Sequence, residues 1–392
     1  MNKKLAAVTS ASQKILKEYD LCDYCLGRLY AKKLKLKSNQ RLGKKLRKSL
    51  KTKGTKCYIC KNVFESLPYY VEKMADVSGD YEFKTFLVGA KLKPSILDRD
   101  DHIRSQYRLK GIDAVKTNVT RELSRLFSQK TKKKIQPSDP DVVFMADFKQ
   151  ESCSVHSKPI SFFGRYTKEV RDIPQKQKPC SNCQGKGCVT CGHHGMTEFD
   201  SVEGMISKFL FEKFGAVQAK ITWIGGEDVT STVSGSGRPF FVKLFNPKKR
   251  TPHLQKKIKL EKITLHGLKK IDRIPIGPIP FVSKTALLVV CERPISGELL
   301  LRLDELQKSN IAVYETSGKR AEKKVQDVKY EMISGNSFVL HMTAEGGLPL
   351  KRLVSGENVF PNISDLLETK CRCEKFDFKD VQIANQHFLH LV

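Results

Sequence analysis

The sequence predicts an α+β protein, with a mixed α/β first half and a second half built on a mixed, mostly antiparallel sheet. Three observations lead to this prediction. Four C-x2-C pairs mark two segments organised by cysteines, helical and strand-like segments alternate after the first of them, and strand-like segments with few long helices fill the end of the chain. The 392 residues, 40% of them hydrophobic, suffice for two or three domains with separate cores.

Eight of the 12 cysteines form four C-x2-C pairs, which group into two sets of four thiols. Two such pairs supply the four thiolates of a tetrahedral structural zinc, so we expect two zinc sites. A disulfide framework and an iron–sulfur cluster are the alternatives, although a chain of this length does not need disulfides to hold its core. The predicted ligands are Cys22, Cys25, Cys57 and Cys60 in the first set and Cys180, Cys183, Cys188 and Cys191 in the second.

The charge balance points to a polyanionic partner, and nucleic acid is the leading candidate. The formal net charge is +29, and residues 1–61 carry 18 Lys and Arg against three acids. No apolar run approaches the roughly 20 residues that a membrane-spanning helix needs. Lys14 ends the short apolar stretch near the N-terminus, so we expect a cytoplasmic protein that does not associate with membranes.

A basic helix is expected directly after Ser38, a residue that suits the N-cap position. Leu42, Leu46 and Leu50 recur every four residues and would form its apolar face. A solvated face is the simple interpretation of the cations between them, but residues 31–61 contain 13 basic residues and no acid, which favours contacts with phosphates. The predicted contact residues are Arg41, Lys44, Lys45, Arg47 and Lys48.

After the first cysteine set, residues 62–173 read as a small α/β domain. Strands are predicted at Tyr81–Gly89 and Asp141–Asp147, with a helix over Thr117–Ser128 between them. Residues 174–200 form a linker-like stretch, rich in Lys, Gln, Pro and Gly, around the second cysteine set.

Residues 201–392 begin with a helix that Ser201 caps and Gly215 ends. Strand-like segments then recur with few long helices between them, which predicts a mixed or antiparallel sheet with flanking helices. These strands are predicted at Ala219–Ile224, Phe240–Phe245, Lys259–Leu265, Ala286–Cys291 and Phe338–Met342.

An acidic turn, Gly225-Gly226-Glu227-Asp228, follows the first of these strands, and Arg238 comes ten residues later in a Gly-Arg-Pro-Phe segment. A carboxylate at a sheet edge near an arginine suits a cleft, although a solvated turn is the simpler interpretation of these residues alone. Gly235-x-Gly237 does not match a nucleotide-binding loop, because Arg238-Pro239 does not open a helix and the third glycine is absent.

Taken together, these motifs resemble the Pus-ten family of tRNA pseudouridine synthases in its archaeal form. The resemblance covers most of the chain: the N-terminal cysteine pairs, a THUMP-like middle region, the C-x2-C-x-G-x-G-C-x2-C segment, and SVEGMISKFLFEKFGA leading to GGEDVTSTVSGSGRPFFVKLFNPKKR. The last segment is the most specific match, because the family's catalytic stretch has the form Gly-x-Glu-Asp followed by Gly-Arg-Pro-Phe. Mapped onto this chain, the family's catalytic aspartate is Asp228.

The resemblance implies a tRNA pseudouridine synthase in which a zinc-binding, THUMP-like α/β region precedes a pseudouridine-synthase-type catalytic domain. The expected segments are a basic zinc-binding module (1–61), a THUMP-like RNA-binding domain (62–173), a second zinc-binding linker (174–200) and the catalytic domain (201–392). Asp228 would start cleavage of the uridine glycosidic bond, by attack or by proton abstraction from the ribose, and the base would rotate and reattach through C5. The zincs would be structural, and no redox or nucleotide cofactor is expected.

The implied target is uridine 55 of the tRNA T-loop, with uridine 54 as a further candidate, and we expect a monomer. Arg238 would pair with Asp228 and keep it ionised, with a purely structural arginine as the alternative. A basic run after the Gly-Arg-Pro-Phe strand would contact phosphates beside the active site, with a solvated loop as the alternative. Its predicted contact residues are Lys248, Lys249, Arg250, Lys256 and Lys257.

Two departures from the family pattern concern tyrosines that stack on the base. Ala286 and Pro349 stand at the positions that match them, and Phe281, Tyr314 or Tyr330 could supply a replacement ring. A non-catalytic, zinc-stabilised protein that binds or folds tRNA is therefore the rival interpretation. A THUMP-containing enzyme of thiolation or methylation would need a phosphate-cradling glycine loop, which the sequence does not offer.

Overall fold

A computed structural model describes residues 2–54, 56–315 and 317–384. The chain divides into two compact units, Met1–Lys158 and Pro159–Val392, and each unit has a hydrophobic core of its own. Both units combine helices with sheets, which confirms the α+β prediction. No helix within the described ranges is both long and apolar enough to cross a membrane.

The first unit packs helices against a four-stranded sheet of order β2-β1-β3-β4, in which β1 runs parallel to β2 and β3 and β4 runs antiparallel to β3. The helices are α1 (Asn2–Glu18), α2 (Asp23–Ala31), α3 (Asn39–Leu50), α4 (Leu67–Ser78), α5 (Pro94–Gln106) and α6 (Val115–Thr131). The strands are β1 (Thr85–Lys91), β2 (Lys134–Ile135), β3 (Val142–Asp147) and β4 (Ser152–Ser157).

Helix α6 and strand β3 lie where the sequence predicts a helix and a strand. The strand predicted at Tyr81–Gly89 begins only at Thr85. Phe83 accounts for the difference, because it is buried by packing against the rings of Phe86 and Phe144 rather than by strand pairing. Burial of an aromatic side chain produces the same apolar signal in a sequence whether or not the backbone pairs.

The basic helix α3 forms as predicted. The Ser38 hydroxyl accepts a hydrogen bond from the Arg41 N–H at 3.3 Å, and Leu42 and Leu46 are buried. Helix α3 crosses α2 at two glycines, where a Cβ on Gly43 would lie 1.9 Å from the Asp23 carbonyl oxygen and one on Gly27 would lie 1.8 Å from that of Asn39. The backbones of the two helices are therefore in direct contact.

The second unit is built on a nine-stranded sheet of order β13-β14-β10-β16-β7-β5-β9-β8, in which β6 pairs with β7; its neighbours are antiparallel except for one parallel bridge between β16 and β7. The strands are β5 (Ile160–Lys168), β6 (Gln218–Trp223), β7 (Val233–Phe245), β8 (Lys257–Lys259), β9 (Ile263–Ile271), β10 (Phe281–Cys291), β11 (Ile311–Tyr314), β12 (Arg320–Lys323), β13 (Val325–Ser334), β14 (Ser337–Glu345), β15 (Val359–Phe360) and β16 (Cys371–Ile383). Strands β12, β11 and β15 form a separate small sheet. The helices are α7 (Val202–Phe214), α8 (Gly297–Leu300), α9 (Glu305–Lys308), α10 (Leu350–Ser355) and α11 (Ile363–Leu366).

The predicted ends of α7 are confirmed. The Ser201 hydroxyl accepts a hydrogen bond from the Gly204 N–H at 2.9 Å, and Gly215 closes the helix in the left-handed conformation with φ +60°. The strand predicted at Lys259–Leu265 is wrong as one element. It is divided between β8 and β9, which pair as a hairpin, because the chain turns at the polar residues between Leu260 and Ile263.

Strand β5 lies within the 62–173 segment of the sequence prediction, but it pairs with β7 and β9 in the second unit. The boundary between the compact units therefore falls at Lys158, before this strand. The division of the chain into four functional segments stays a prediction.

Candidate active site and metal centres

The first cysteine set comes together in the first unit. The thiol sulfurs of Cys22, Cys25, Cys57 and Cys60 all lie within 4.8 Å of one another, and Cys22 Sγ is 3.6 Å from Cys60 Sγ. Four thiolates bound to one zinc at about 2.3 Å would be about 3.8 Å apart, so this spacing fits a tetrahedral metal site. Asn62 Oδ1 accepts the Cys57 N–H at 2.9 Å and fixes the second pair.

The second cysteine set forms a comparable cluster in the second unit, again with all four sulfurs within 4.8 Å. Cys191 Sγ lies 3.7 Å from Cys188 Sγ and 3.9 Å from Cys183 Sγ. The N–H groups of Cys188 and Gly195 donate to Cys191 Sγ, and these bonds, together with those to the Cys188 and Cys183 thiols, lower the pKa of the Cys191 thiol to about 6. A thiolate at neutral pH is the form that binds a metal.

Helix α3 presents four of the five predicted phosphate contacts to solvent. Arg41, Lys44, Lys45 and Lys48 are exposed. Arg47 is not free to contact RNA in this structure: its side chain is 12% exposed, its Nε lies 3.0 Å from Asp23 Oδ1, and it also donates to the Leu21 carbonyl. This arginine instead ties α3 to the start of α2.

Asp228 lies in the loop between β6 and β7, with its side chain 27% exposed. Its Oδ1 accepts hydrogen bonds from the Thr230 N–H at 3.0 Å and the Thr230 hydroxyl at 2.7 Å, and its Oδ2 accepts one from Lys351 Nζ at 2.7 Å. Partial burial tends to raise the pKa of Asp228, but the hydrogen bonds from Lys351 and Thr230 outweigh it and hold the pKa below its usual value. The carboxylate is thus ionised at neutral pH and faces solvent.

Asp228 lines a cleft of about 400 Å³ within the second unit. Its walls combine the aromatic rings of β10 and β16 with the segment that leads into α10, and Lys351 and Arg352 supply positive charge. The cleft is lined by Gly226, Glu227, Asp228, Phe281, Ser283, Ala344, Glu345, Gly347, Leu348, Pro349, Leu350, Lys351, Arg352, Phe376 and Phe378. A volume of this size is typical of a small-ligand site.

Phe281 is the one of the three candidate replacement rings that lines this cleft. Its ring lies against the backbone of Gly225 and Gly346, where an added Cβ would meet ring carbons at 2.4 Å and 2.3 Å. Pro349 also lines the cleft, whereas Ala286 alternates to the face of β10 opposite Ser283 and points away from it.

The predicted pair between Arg238 and Asp228 is wrong. Arg238 is fully buried, its Nε lies 3.5 Å from Glu227 Oε2, and its Nη1 donates to the Ile224 carbonyl at 2.9 Å. The cation beside Asp228 is Lys351 instead. Because its guanidinium is enclosed, Arg238 does not reach a substrate in this structure.

The second group of predicted phosphate contacts lies outside the cleft lining. Lys249, Lys256 and Lys257 are exposed, Lys248 is half-buried against Gly215, and Arg250 is buried. Arg250 is therefore poorly suited to contact RNA in this conformation, while the three exposed lysines remain predicted contacts.

Sequence reasoning missed Lys351 and the aromatic pair Phe376 and Phe378. The two rings stand on one face of β16, with centroids 5.6 Å apart. Phenylalanines that alternate with charged residues in a strand are a detectable signal for one apolar face. Lys351 lies 123 residues from Asp228 and has no local signal of its role.

Comparison with known proteins gives consistent results over nearly the whole chain. The family model "Pus10, C-terminal" matches residues 162–382, and "Pus10 THUMP domain, archaeal" matches residues 70–147. The chain is 51% identical to the tRNA pseudouridine synthase Pus10 of Nitrosopumilus maritimus over 95% of this chain and 97% of that protein. The Pus10 of Cenarchaeum symbiosum is 39% identical over 93% of this chain and 90% of its own length.

Among solved structures, a Cbf5–Nop10–Gar1 complex is similar at 9% identity with a TM-score of 0.31, over 57% of this chain and 50% of the matched chain. A structural similarity this weak does not identify any residue of the active site.

Proposed function

The chain belongs to the Pus10 family, and we propose that it isomerises uridine to pseudouridine in tRNA, with Asp228 as the catalytic carboxylate. The observation that carries the proposal is the state of Asp228: its carboxylate is held ionised by Lys351 and Thr230 at the edge of an apolar cleft. Attack on the ribose and proton abstraction from it both begin from the carboxylate anion, which is the form that the contacts of Asp228 favour.

The walls of the cleft suit a uracil ring that has left its stack. Phe281 is the more exposed ring of the lining, Phe376 and Phe378 are largely buried in the wall behind it, and Leu348 and Pro349 add apolar surface for a base. An enzyme that acts on a paired or stacked base must first extrude it, and such walls recover part of the unstacking energy. Lys351 supplies positive charge that would lie near the phosphate of the flipped nucleotide, whereas the Arg352 guanidinium is bonded to the Glu357 and Tyr314 carbonyls.

We further propose that both cysteine clusters hold structural zinc. The donor set of four sulfurs and the spacing within each cluster fit a closed tetrahedral site, which leaves no open position for substrate. Zinc bound here would supply folding energy, and each cluster would order the loops around it.

The exposed cations are proposed to hold the tRNA backbone. On α3 these are Arg41, Lys44, Lys45 and Lys48, and in the second unit they are Lys249, Lys256 and Lys257. We propose uridine 55 as the first target, with uridine 54 as a second candidate, and a monomeric, cytoplasmic enzyme. Light scattering on the purified chain tests the monomer.

Pseudouridine formation on an unmodified tRNA transcript tests the function. We expect product with the wild type and none with Asp228→Asn, because the amide cannot attack or abstract a proton. Asp380→Asn is the matched control: Asp380 is also a partly exposed carboxylate of this unit with a lowered pKa, but it bonds Ser236 and lies outside the cleft lining.

Two further transcripts identify the target, one with cytidine in place of uridine 54 and one with cytidine in place of uridine 55. The replacement that abolishes the product marks the uridine that is modified. Undiminished product with Asp228→Asn would overturn the role of Asp228. Tight tRNA binding by the wild type without product under any condition would favour the rival, a protein that binds or folds tRNA without catalysis.

A further inference from the structure

Glu227 and Asp228 are adjacent in the chain but face opposite surroundings. The Asp228 side chain is 27% exposed at the cleft, whereas the Glu227 side chain is 0% exposed, although its backbone lies near the surface. A buried carboxylate is retained only with compensating partners, since burial of an unpaired charge is strongly unfavourable. The partners of Glu227 therefore indicate what this residue does.

The Glu227 carboxylate meets three groups from two neighbouring strands. Lys168 Nζ lies 3.0 Å from Oε1 and Arg238 Nε lies 3.5 Å from Oε2, both as ion pairs without hydrogen-bond geometry. The Tyr166 hydroxyl donates a hydrogen bond to Oε2 at 2.9 Å. The side chains of Lys168 and Arg238 are both fully buried. Gln175 Nε2 lies 3.2 Å from the Tyr166 hydroxyl and 3.4 Å from the Gly225 carbonyl, so it joins the cluster to the start of the loop.

Arg238 connects this cluster to the wall of the cleft. Besides Glu227, it donates to the Ile224 carbonyl at 2.9 Å, and its guanidinium carbon lies 4.1 Å from the centroid of the Phe378 ring, which lines the cleft. One buried side chain thus contacts the residue that begins the loop, the residue before Asp228, and an aromatic ring proposed to support the base.

Asp228 itself is bonded by groups at the surface rather than by buried ones. Its side chain bonds a neighbour two residues away and the half-exposed Lys351, while its carbonyl accepts from Ser231. A reacting group must be kept close to its productive geometry, and a displacement of ~1 Å can cost about 100-fold in rate. Within this loop, Glu227 is the residue whose side chain is fixed by buried groups.

We propose that Glu227 is a positioning residue: clamped by Lys168, Arg238 and Tyr166, it fixes the backbone from which Asp228 reaches the substrate, and Arg238 couples that backbone to Phe378. This inference rests on the proposed function. It adds a role for the glutamate of the Glu-Asp pair and replaces the pairing of Arg238 with Asp228 that the sequence suggests.

The test must separate positioning from a loss of folding. Glu227→Gln alone leaves Lys168 and Arg238 with no negative partner, so its instability would be uninformative. The double variant Glu227→Gln/Lys168→Met keeps the wild-type net charge of the cluster, which holds two cations and one carboxylate, but removes the ion pairs that clamp residue 227. Arg238→Lys is the second variant, because it keeps the charge and loses the contacts to Ile224 and Phe378. Glu203→Gln, which alters a partly buried carboxylate bonded to the Gln177 N–H, is the matched control.

Thermal unfolding, tRNA affinity and the steady-state kinetics of pseudouridine formation are measured for each folded variant on the same unmodified transcript. We expect the double variant and Arg238→Lys to lose about 100-fold in kcat, with KM and tRNA affinity within about threefold of wild type. The control should match wild type in all three.

A double variant with kcat within about threefold of wild type would overturn the proposal, and so would a parallel loss of affinity and kcat, which indicates a general structural role. If the double variant does not fold, the same criteria are applied to Arg238→Lys. Failure of the proposed function is distinguishable, because in that case the wild type itself forms no pseudouridine.

Discussion

Gly43→Ala should destabilise the first unit, although the same change usually stabilises a helix. Alanine is favoured over glycine inside a helix by about 1 kcal/mol, because glycine loses more backbone entropy on folding. At Gly43, however, the new Cβ would lie 1.9 Å from the Asp23 carbonyl oxygen, and ordinary contact begins at 3.4 Å. Helices α2 and α3 would therefore have to separate by most of that difference.

The opposing atoms at this crossing belong to the backbone, so no rotamer change relieves the overlap. Overpacking of this kind costs typically about 1–3 kcal/mol and occasionally more, which exceeds the gain from helix propensity. The separation would also strain the Arg47–Asp23 pair and shift Cys25, which lies on α2. We expect a net loss of about 1–2 kcal/mol in the free energy of unfolding.

Urea unfolding of the full chain, followed by circular dichroism, measures this loss, and metal retention at sub-denaturing urea reports on the first cysteine set. Gly297→Ala is the matched control, because Gly297 begins helix α8 and a Cβ there meets nothing within 4 Å. It should be neutral or slightly stabilising. A Gly43→Ala protein as stable as wild type would refute the close-contact argument.

Three further predictions concern charge and metal. Lys351→Met should move the acid limb of the kcat/KM profile to higher pH, because the pKa of Asp228 then rises, with only the Thr230 hydrogen bonds left to oppose the effect of burial. In the wild type the ion pair stabilises the fold above the usual pKa of 3.8, and this contribution is lost as pH falls through the lowered value. An unmoved limb would contradict this. The stability change should be small, about 0–1 kcal/mol, since Lys351 is half-exposed. Elemental analysis should find two zinc ions per chain, one for each cluster. A strong chelator should unfold the protein rather than abolish a single catalytic step. A single ion per chain would mean that one cluster is empty. Changing Lys44, Lys45 and Lys48 together to Gln should lower the slope of log affinity against log salt by up to about three units, whereas Arg47→Lys should reduce stability instead; an unchanged slope would exclude these lysines as phosphate contacts.

Features fixed by neighbouring residues were predictable from the sequence. Ser38 and Ser201 cap their helices and Gly215 ends one, because the groups that satisfy the free N–H and C=O ends lie within four residues. The cysteine clusters were predictable for a similar reason. Each C-x2-C pair is a local unit, and a tetrahedral zinc needs four thiolates, so two pairs must combine at each site. Strand boundaries were less predictable, as β8 and β9 show.

The surroundings of Asp228 depend on contacts that no local pattern encodes. Glu227 and Asp228 are chemically similar, and nothing in the sequence of a loop says which one points inward. Helices and strands have a period that assigns faces, but a turn has none. In the structure Glu227 pairs with the buried cations Lys168 and Arg238, and Asp228 pairs with Lys351. The sequence-based prediction was therefore right that Arg238 pairs with a carboxylate of this loop, but it named Asp228 instead of Glu227.

The cleft is lined by the aromatic rings of Phe281, Phe376 and Phe378, although Ala286 and Pro349 stand at the positions of the family's tyrosines. On β10, Thr285 and Leu287 pair with Phe378 and Phe376 of β16, and residue 286 alternates to the other face. The rings therefore come from β16 and from Phe281 rather than from position 286. A phenylalanine can stack on uracil but has no hydroxyl to accept a proton. If the wild type forms pseudouridine, removal of the C5 proton falls to a carboxylate or to water in the cleft, because the ammonium of Lys351 cannot accept a proton. Stacking and proton transfer are then carried by different groups.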